Sequence, residues 1–293
     1  MEKKLIIIDS SSLLYRAFHA LPPLTSKTGQ PTGAVYGFLL TLFKAMKDLQ
    51  ATHIAACFDT PKPTFRHEQF ADYKATRLPP PDALILQFPL IKEVLKTLGI
   101  PLFEKEGFEA DDLIATIAEK LKGSDVDIFI VSGDLDNLQL VNHHTKLYTL
   151  GKGIKDSVMY DEQKVAERFG VTPSQMNDFK ALTGDNSDNI PGVPGIGKVA
   201  AADLIQRFGS IENLYAEMAT DTAVLKPKIK ETLKENKDKA LLSLQLVTTE
   251  KNAPIEFAID QCKFGGFDQK KAKDFFVELN FNTLVDRLTS LAS

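Results

Sequence analysis

The chain has 293 residues, of which 43% are hydrophobic and 25% charged, and a formal net charge of −4. That is enough to bury a core without staples, in one large domain or two moderate ones. Two cysteines, Cys57 and Cys262, cannot make a disulfide framework or a four-thiolate zinc site, which points to a reducing, cytosolic setting. No apolar run approaches the roughly 20 residues of a membrane helix, and Asp9 closes the first run far short of a signal-peptide core. The negative charge argues against a uniformly basic nucleic-acid binder but does not say where the charges sit.

Lys4–Ile8 is an apolar, β-branched run that reads as a buried strand ending at Asp9. Apolar residues at helical spacing, from Val35 to Met46, predict a helix over Gly33–Leu49. His53–Phe58 reads as a second strand, closed by Asp59. Thr60–Pro81 holds five prolines and the cations Lys62, Arg66, Lys74 and Arg77, the signature of an irregular excursion from the core. Helical spacing returns over Ile85–Leu98. It recurs over Glu109–Leu121, which opens on acids as a helix N-terminus prefers. Asp127–Val131 is a third strand, running into Ser132-Gly133-Asp134, and Lys146–Leu150 a fourth. Beyond about Asp161 the pattern is helical, with turns at Gly170, Gly184, Gly195 and Gly209. Strands alternating with helices predict an α/β fold, a central, mostly parallel sheet flanked by helices over residues 1–175. A helical region over 176–293 follows it.

Ligands of an open parallel sheet bind beyond the carboxyl ends of its strands. Asp9, Asp59 and Asp134 stand at those ends, and Asp136 follows closely. Glu109, Asp111 and Asp112 open a helix along the same edge. Asp185 and Asp188, three apart in Thr183–Asn189, share a face if that stretch is a helical turn. Singly, each acid has an ordinary role as a turn or cap residue or as a complement to a helix dipole. Jointly, nine carboxylates on one edge would raise one another's pKa, and a divalent cation relieves that repulsion. Oxygen donors without a His/Cys cluster favour Mg²⁺ or Mn²⁺ over zinc. Setting the nine aside changes −4 to +5 on the rest of the chain, an acidic pocket in a mildly basic body. Two such ions about 3.5–4 Å apart are the arrangement for phosphodiester cleavage.

Two further signals fit an anionic polymer. Phe65-Arg66-His67 and Tyr73-Lys74 through Arg77 combine cations for phosphate with aromatics for stacking. Lys74 and Arg77, one helical turn apart, can reach one scissile phosphate; the alternative is a solvated loop. Pro191–Lys198 is rich in glycine. It is neither a P-loop, since Val199 stands where Ser or Thr should be, nor a dinucleotide fingerprint, since no strand precedes it. It reads as the turn of a helix–hairpin–helix between Ser174–Thr183 and Val199–Phe208. Gly192, Gly195, Gly197 and Lys198 would there let backbone amides and a helix N-terminus approach duplex phosphates. The six lysines of Lys226–Lys239 are a solvated helical face or an extension of that track.

The order of these segments resembles the 5′-nuclease superfamily, most closely the 5′–3′ exonuclease domain at the N-terminus of bacterial DNA polymerases I. Ile7-Ile8-Asp9, Tyr15-Arg16-Ala17-Phe18, Phe58-Asp59, Glu109-Ala110-Asp111-Asp112, Ser132-Gly133-Asp134 with Asp136, Thr183-Gly184-Asp185 with Asp188, and Gly192–Gly197 carry it. The resemblance implies a flap endonuclease-like fold with an arch or clamp at about residues 60–90 and a two-metal site on the nine carboxylates. It also implies Lys74 and Arg77 at the scissile phosphate and a duplex grip at the glycine hairpin with K⁺ as a further cation. The implied activity is 5′–3′ exonuclease and 5′-flap endonuclease cleavage of DNA, and of RNA primers on DNA, in replication and repair. The implied protein is a cytosolic monomer with a DNA polymerase in cis or in trans. Three departures stand out: Ser10-Ser11 where the family usually has Gly-Asn, Leu135 where it has Lys, and Val199-Ala200-Ala201 after the hairpin where it has Lys-Thr-Ala. The rival readings are a junction-binding protein that has lost catalysis, and a ribonuclease on a related acid-tipped sheet.

Overall fold

The computed structural model describes residues 3–151 and 156–291. Its strands are β1 (Lys3–Asp9), β2 (His53–Cys57), β3 (Leu102–Phe103), β4 (Val126–Ser132), β5 (Thr145–Leu150) and β6 (Ser157–Tyr160). They form one sheet in the order β3-β2-β1-β4-β5-β6. All neighbours are parallel except β5 and β6. The register sets Asp9 beside Cys57 and Ile8 beside Val131. The ends of the three central strands are therefore level, and the acids that follow them start from one edge.

The strand residues alternate between two apolar layers, as a sheet covered on both faces requires. Ile6, Ile8, Ile54 and Ala56 face one layer. It holds α1 (Ser10–Ala20), α2 (Gly33–Leu49), the short α4 (Asp82–Ile85) and α5 (Gln87–Thr97). Leu5, Ile7, Ala55 and Cys57 face the other, built on α6 (Ala110–Lys120). The short α3 (Phe65–Gln69) lies in the excursion expected from the prolines, and α7 (Glu162–Phe169) follows β6.

The helical region continues the α6 layer through α8 (Met176–Thr183), α9 (Lys198–Phe208), α10 (Ile211–Ala219), α11 (Pro227–Glu235) and α12 (Lys237–Val247). The last helices, α13 (Gln269–Glu278) and α14 (Asn282–Leu291), return to the other face, where Phe276, Phe281 and Leu284 join the α2 layer. Residues 176–291 therefore cover both sides of the sheet.

Four features differ from the sequence expectation. Leu102–Phe103 pairs with β2 as a short strand. Ser10–Ala20 is a helix, because the Asp9 carboxylate accepts the Ser12 N–H and caps it directly at the strand end. Ser157–Tyr160 adds an antiparallel edge strand. Asp185–Asn189 is not a helical turn: Asp185 and Ile190 exchange backbone hydrogen bonds of 2.9 and 2.8 Å, closing a tight loop.

Candidate active site

Seven of the nine expected carboxylates, Asp9, Asp59, Glu109, Asp111, Asp134, Asp136 and Asp188, line one cavity of about 870 Å³ together with Lys74 and Arg77. Each is held by local chemistry. Asp9 Oδ2 accepts from the Ser132 hydroxyl at 2.6 Å, joining the ends of β1 and β4. Asp59 Oδ1 accepts from the Ala110 N–H at 2.8 Å, so the acid after β2 seats the start of α6. Asp134 Oδ1 accepts from the Asp136 N–H at 3.0 Å, folding their loop back on itself. Asp111, in the first turn of α6, accepts from Asn137 Nδ2 at 2.7 Å.

The acids raise one another's pKa. Burial first, then the charge of Asp59, pushes Asp9 up to about 7. Burial lifts Asp136 to about 6 against the pull of the Lys180 ammonium. Asp111 rises well above the usual range through burial and the charges of Asp9, Asp136, Asp134 and Asp59. Among the described residues, no three His, Cys, Asp or Glu side chains already converge as a coordination group. The donor set nevertheless consists of crowded, undercompensated oxygens, which fits hard divalent cations.

The basic pair is engaged with two of these acids. Lys74, in the left-handed region at φ 57°, places Nζ 2.6 Å from Glu109 Oε1 and 3.9 Å from Asp188 Oδ2. Arg77 pairs with the other oxygen of Asp188 and donates to the Ser187 carbonyl at 3.2 Å.

Several expected site residues lie elsewhere. Asp112 is fully buried, one position along the helix from Asp111 and therefore on a different face. Its oxygens accept both arms of the Arg66 fork at 2.8 Å, the Glu109 N–H at 3.0 Å and the Glu250 N–H at 2.8 Å. With its acceptors so occupied it is a structural anchor. Arg66, expected at DNA, is 2% exposed and also donates to the Leu246 and Thr248 carbonyls, tying α3 to the end of α12. Tyr73, expected to stack on a base, is buried, and its hydroxyl donates to Glu109 at 3.0 Å and Asp188 at 3.3 Å. Asp185 and Asp188 do not share a face: Asp185 accepts from Lys180 at 2.9 Å and from Ser187, outside the cavity lining.

The hairpin also divides. Gly192 has φ +60°, and a Cβ there would lie 2.3 Å from the Gly184 nitrogen. Its own N–H donates to Ser243 Oγ at 3.0 Å, so its amide serves packing rather than a phosphate. Gly195, at φ +85°, and Gly197 face open space, and Lys198 opens α9 at the surface. Val199 is 87% exposed beside them. Leu135 packs against the apolar layer. Five lysines of the Lys226–Lys239 patch are exposed, and Lys230 pairs with Asp221.

Sequence reasoning missed three participants. Lys180 on α8 bridges Asp136 and Asp185. Arg16 on α1 lines the cavity and donates to the carbonyls of Gly133 at 3.0 Å, Leu150 at 2.7 Å and Gly151. Asn137 holds Asp111. Adjacency to Asp136 was the one local signal for Asn137, and Asp185 five residues on the one for Lys180; Asp136 is remote from Lys180, and the carbonyl partners of Arg16 are remote from it.

Residues 4–170 match the 5′-3′ exonuclease, N-terminal resolvase-like domain family, and residues 171–270 the 5′-3′ exonuclease, C-terminal SAM fold. DNA polymerase I of Bacillus caldotenax is 42% identical over 293 residues, covering 100% of this chain and 33% of that protein. The chain thus spans about a third of the length of the curated relatives it matches. Among solved structures, T5 5′-exonuclease with divalent zinc bound superposes with a TM-score of 0.67 at 22% identity, covering 99% of this chain and 98% of that one. The bacteriophage T5 flap endonuclease in complex with DNA and metal ions gives the same TM-score, identity and coverage. At that identity the likeness establishes the fold: a mostly parallel mixed sheet flanked by helices, followed by a helical domain.

Proposed function

The chain belongs to the 5′-3′ exonuclease family, and on that premise we propose that it hydrolyses phosphodiester bonds near the 5′ end of DNA, as a 5′–3′ exonuclease and 5′-flap endonuclease. The observation that carries the proposal is the shared cavity, in which seven carboxylates meet Lys74 and Arg77. The solved T5 relatives hold divalent zinc in one case and DNA with metal ions in the other, which supports the same ligands here.

Asp9, Asp59, Asp111, Asp134 and Asp136 would hold two Mg²⁺ or Mn²⁺ ions, with Glu109 and Asp188 at their margin. When bound, the ions supply a water of lowered pKa and stabilise the departing 3′-oxygen. The protein does the rest. Ser132 and the Ser12 N–H fix the Asp9 carboxylate, and the Ala110 N–H fixes Asp59. Lys74 and Arg77 take the non-bridging oxygens of the scissile phosphate, exchanging Glu109 and Asp188 for the substrate and offsetting its developing charge.

Gly195, Gly197 and Lys198 are the part of the hairpin free to grip a duplex backbone, with K⁺ as a candidate ion at its carbonyls. The substrates are DNA with a 5′ end, flap or nick, and RNA primers on DNA; a DNA polymerase acts with the site in cis or in trans. The working form is a monomer in the cytosol, and among the described residues no helix is long and apolar enough to cross a membrane.

A labelled 5′-flap duplex incubated with Mg²⁺, Mn²⁺ or EDTA tests the reading. Shortening of the labelled strand with either metal and none in EDTA is expected; binding without shortening with either metal would leave a junction-binding protein instead.

A further inference from the structure

Asn137 follows Asp136 in the 3-10 turn Asp136–Leu140, which packs against α6. It is fully buried. Its Nδ2 is, among the described residues, the only hydrogen-bond donor to the Asp111 side chain, at 2.7 Å. Its Oδ1 is buried with no hydrogen-bond partner.

These facts constrain one another. When a bound cation keeps Asp111 ionised, the NH₂ group must face the carboxylate, because an amide oxygen in that place would repel it. The amide oxygen is then left buried, with no protein group among the described residues to donate to it. An unpartnered buried polar atom is costly, and an apolar side chain of the same size would serve the fold better. The amide makes its one bond to the Asp111 carboxylate.

The kind of donor is informative too. Lys180 holds Asp136 with a positive charge. Asn137 holds Asp111 without one, so the carboxyl is oriented without being neutralised by a protein cation. The same bond ties the first turn of α6 to the loop carrying Asp134 and Asp136, two elements whose acids share the cavity.

We propose that Asn137 is a positioning residue for the divalent-cation site, fixing the rotation of Asp111 and its spacing from Asp134 and Asp136. This rests on the reading of the cavity as a metal site. The test is direct Mn²⁺ binding to the DNA-free chain, followed by electron paramagnetic resonance, beside thermal melting in EDTA. Wild type is compared with Asn137→Leu and Asn137→Met, two apolar shapes that guard against a packing failure in either. Partners of metal ligands typically govern about 10–100-fold in affinity, so both variants should bind Mn²⁺ at least about tenfold more weakly. Both should melt in EDTA at or above the wild-type temperature. Unchanged Mn²⁺ affinity would overturn the proposal, as would a loss of affinity that tracks a lower melting temperature in both variants. A wild-type chain that binds no Mn²⁺ would instead remove the metal reading itself, and the role of Asn137 with it.

Discussion

Asp111 and Asp112 are neighbours on one helix and meet opposite fates. Asp112 is enclosed by Arg66 and two backbone amides; Asp111 has one neutral donor and faces four other acids. About 100° of helical rotation separates them, enough to put one in the packing and the other in the cavity. Compensated acid builds structure, whereas uncompensated acid marks a place where the protein expects a ligand. The anchor also shows what a charge-free reading of motifs misses. Its acid lies within the recognised Glu109–Asp112 segment, yet its task is to fasten α3 and the end of α12 to α6.

The contrast can be broken from either side. Asp134→Asn removes a charge from the undercompensated side. Metal-assisted charge stabilisation is worth several kcal/mol, so flap cleavage should fall by about a thousandfold while urea unfolding in EDTA shows no loss of stability. Arg66→Met attacks the compensated side and leaves Asp112 buried without its cation. It should cost about 3–5 kcal/mol in urea unfolding; a loss below about 1 kcal/mol would mean that Asp112 is solvated in solution.

The pH response sharpens the same comparison. The folded-state pKa values of Asp9 and Asp136, about 7 and about 6, lie above the ordinary value of 3.8. The folded, metal-free chain therefore binds more protons than the unfolded chain between about pH 4 and 7, and its stability falls as pH rises through that window. Melting temperatures in EDTA should decline over this range, and Mg²⁺, which binds the ionised form, should flatten the decline. A melting temperature that rises with pH in EDTA would show that the acids do not crowd. The smallest effect belongs to the hairpin surface. Lys198→Ala should weaken duplex binding severalfold and reduce the slope of log affinity against log salt by about 1, measured by fluorescence anisotropy.

Much of this was legible in the sequence because it rests on local signals. The apolar runs before Asp9, Asp59 and Asp134 marked the parallel strands, and acids at strand ends without a His/Cys cluster pointed to the cavity. What was hidden depends on distance or on one residue serving twice. Asp9 ends β1 and caps α1, so the polar run Ser10–Ser12 masked a helix start. Arg66 and Tyr73 carry the residue types of a nucleic-acid contact, but Arg66 lies 46 positions before Asp112 and Tyr73 lies 36 before Glu109. No periodicity reports a pairing at that range. Asp185 and Asp188 were read through helical spacing, and the loop closed by Ile190 sends them to different cations, Asp185 to Lys180 and Asp188 to Lys74 and Arg77.

The tight apposition of Gly184 and Gly192 carries a consequence for mutational tolerance. Any side chain at Gly192 would collide with backbone, whereas Gly195 and Gly197 have nothing within 4 Å of an added Cβ. A randomised library spanning residues 192–199 should thus return glycine at its first position in every folded clone, while the outer positions diversify wherever their backbone angles allow. The rim of the turn can therefore vary without disturbing the Gly184–Gly192 contact beneath it.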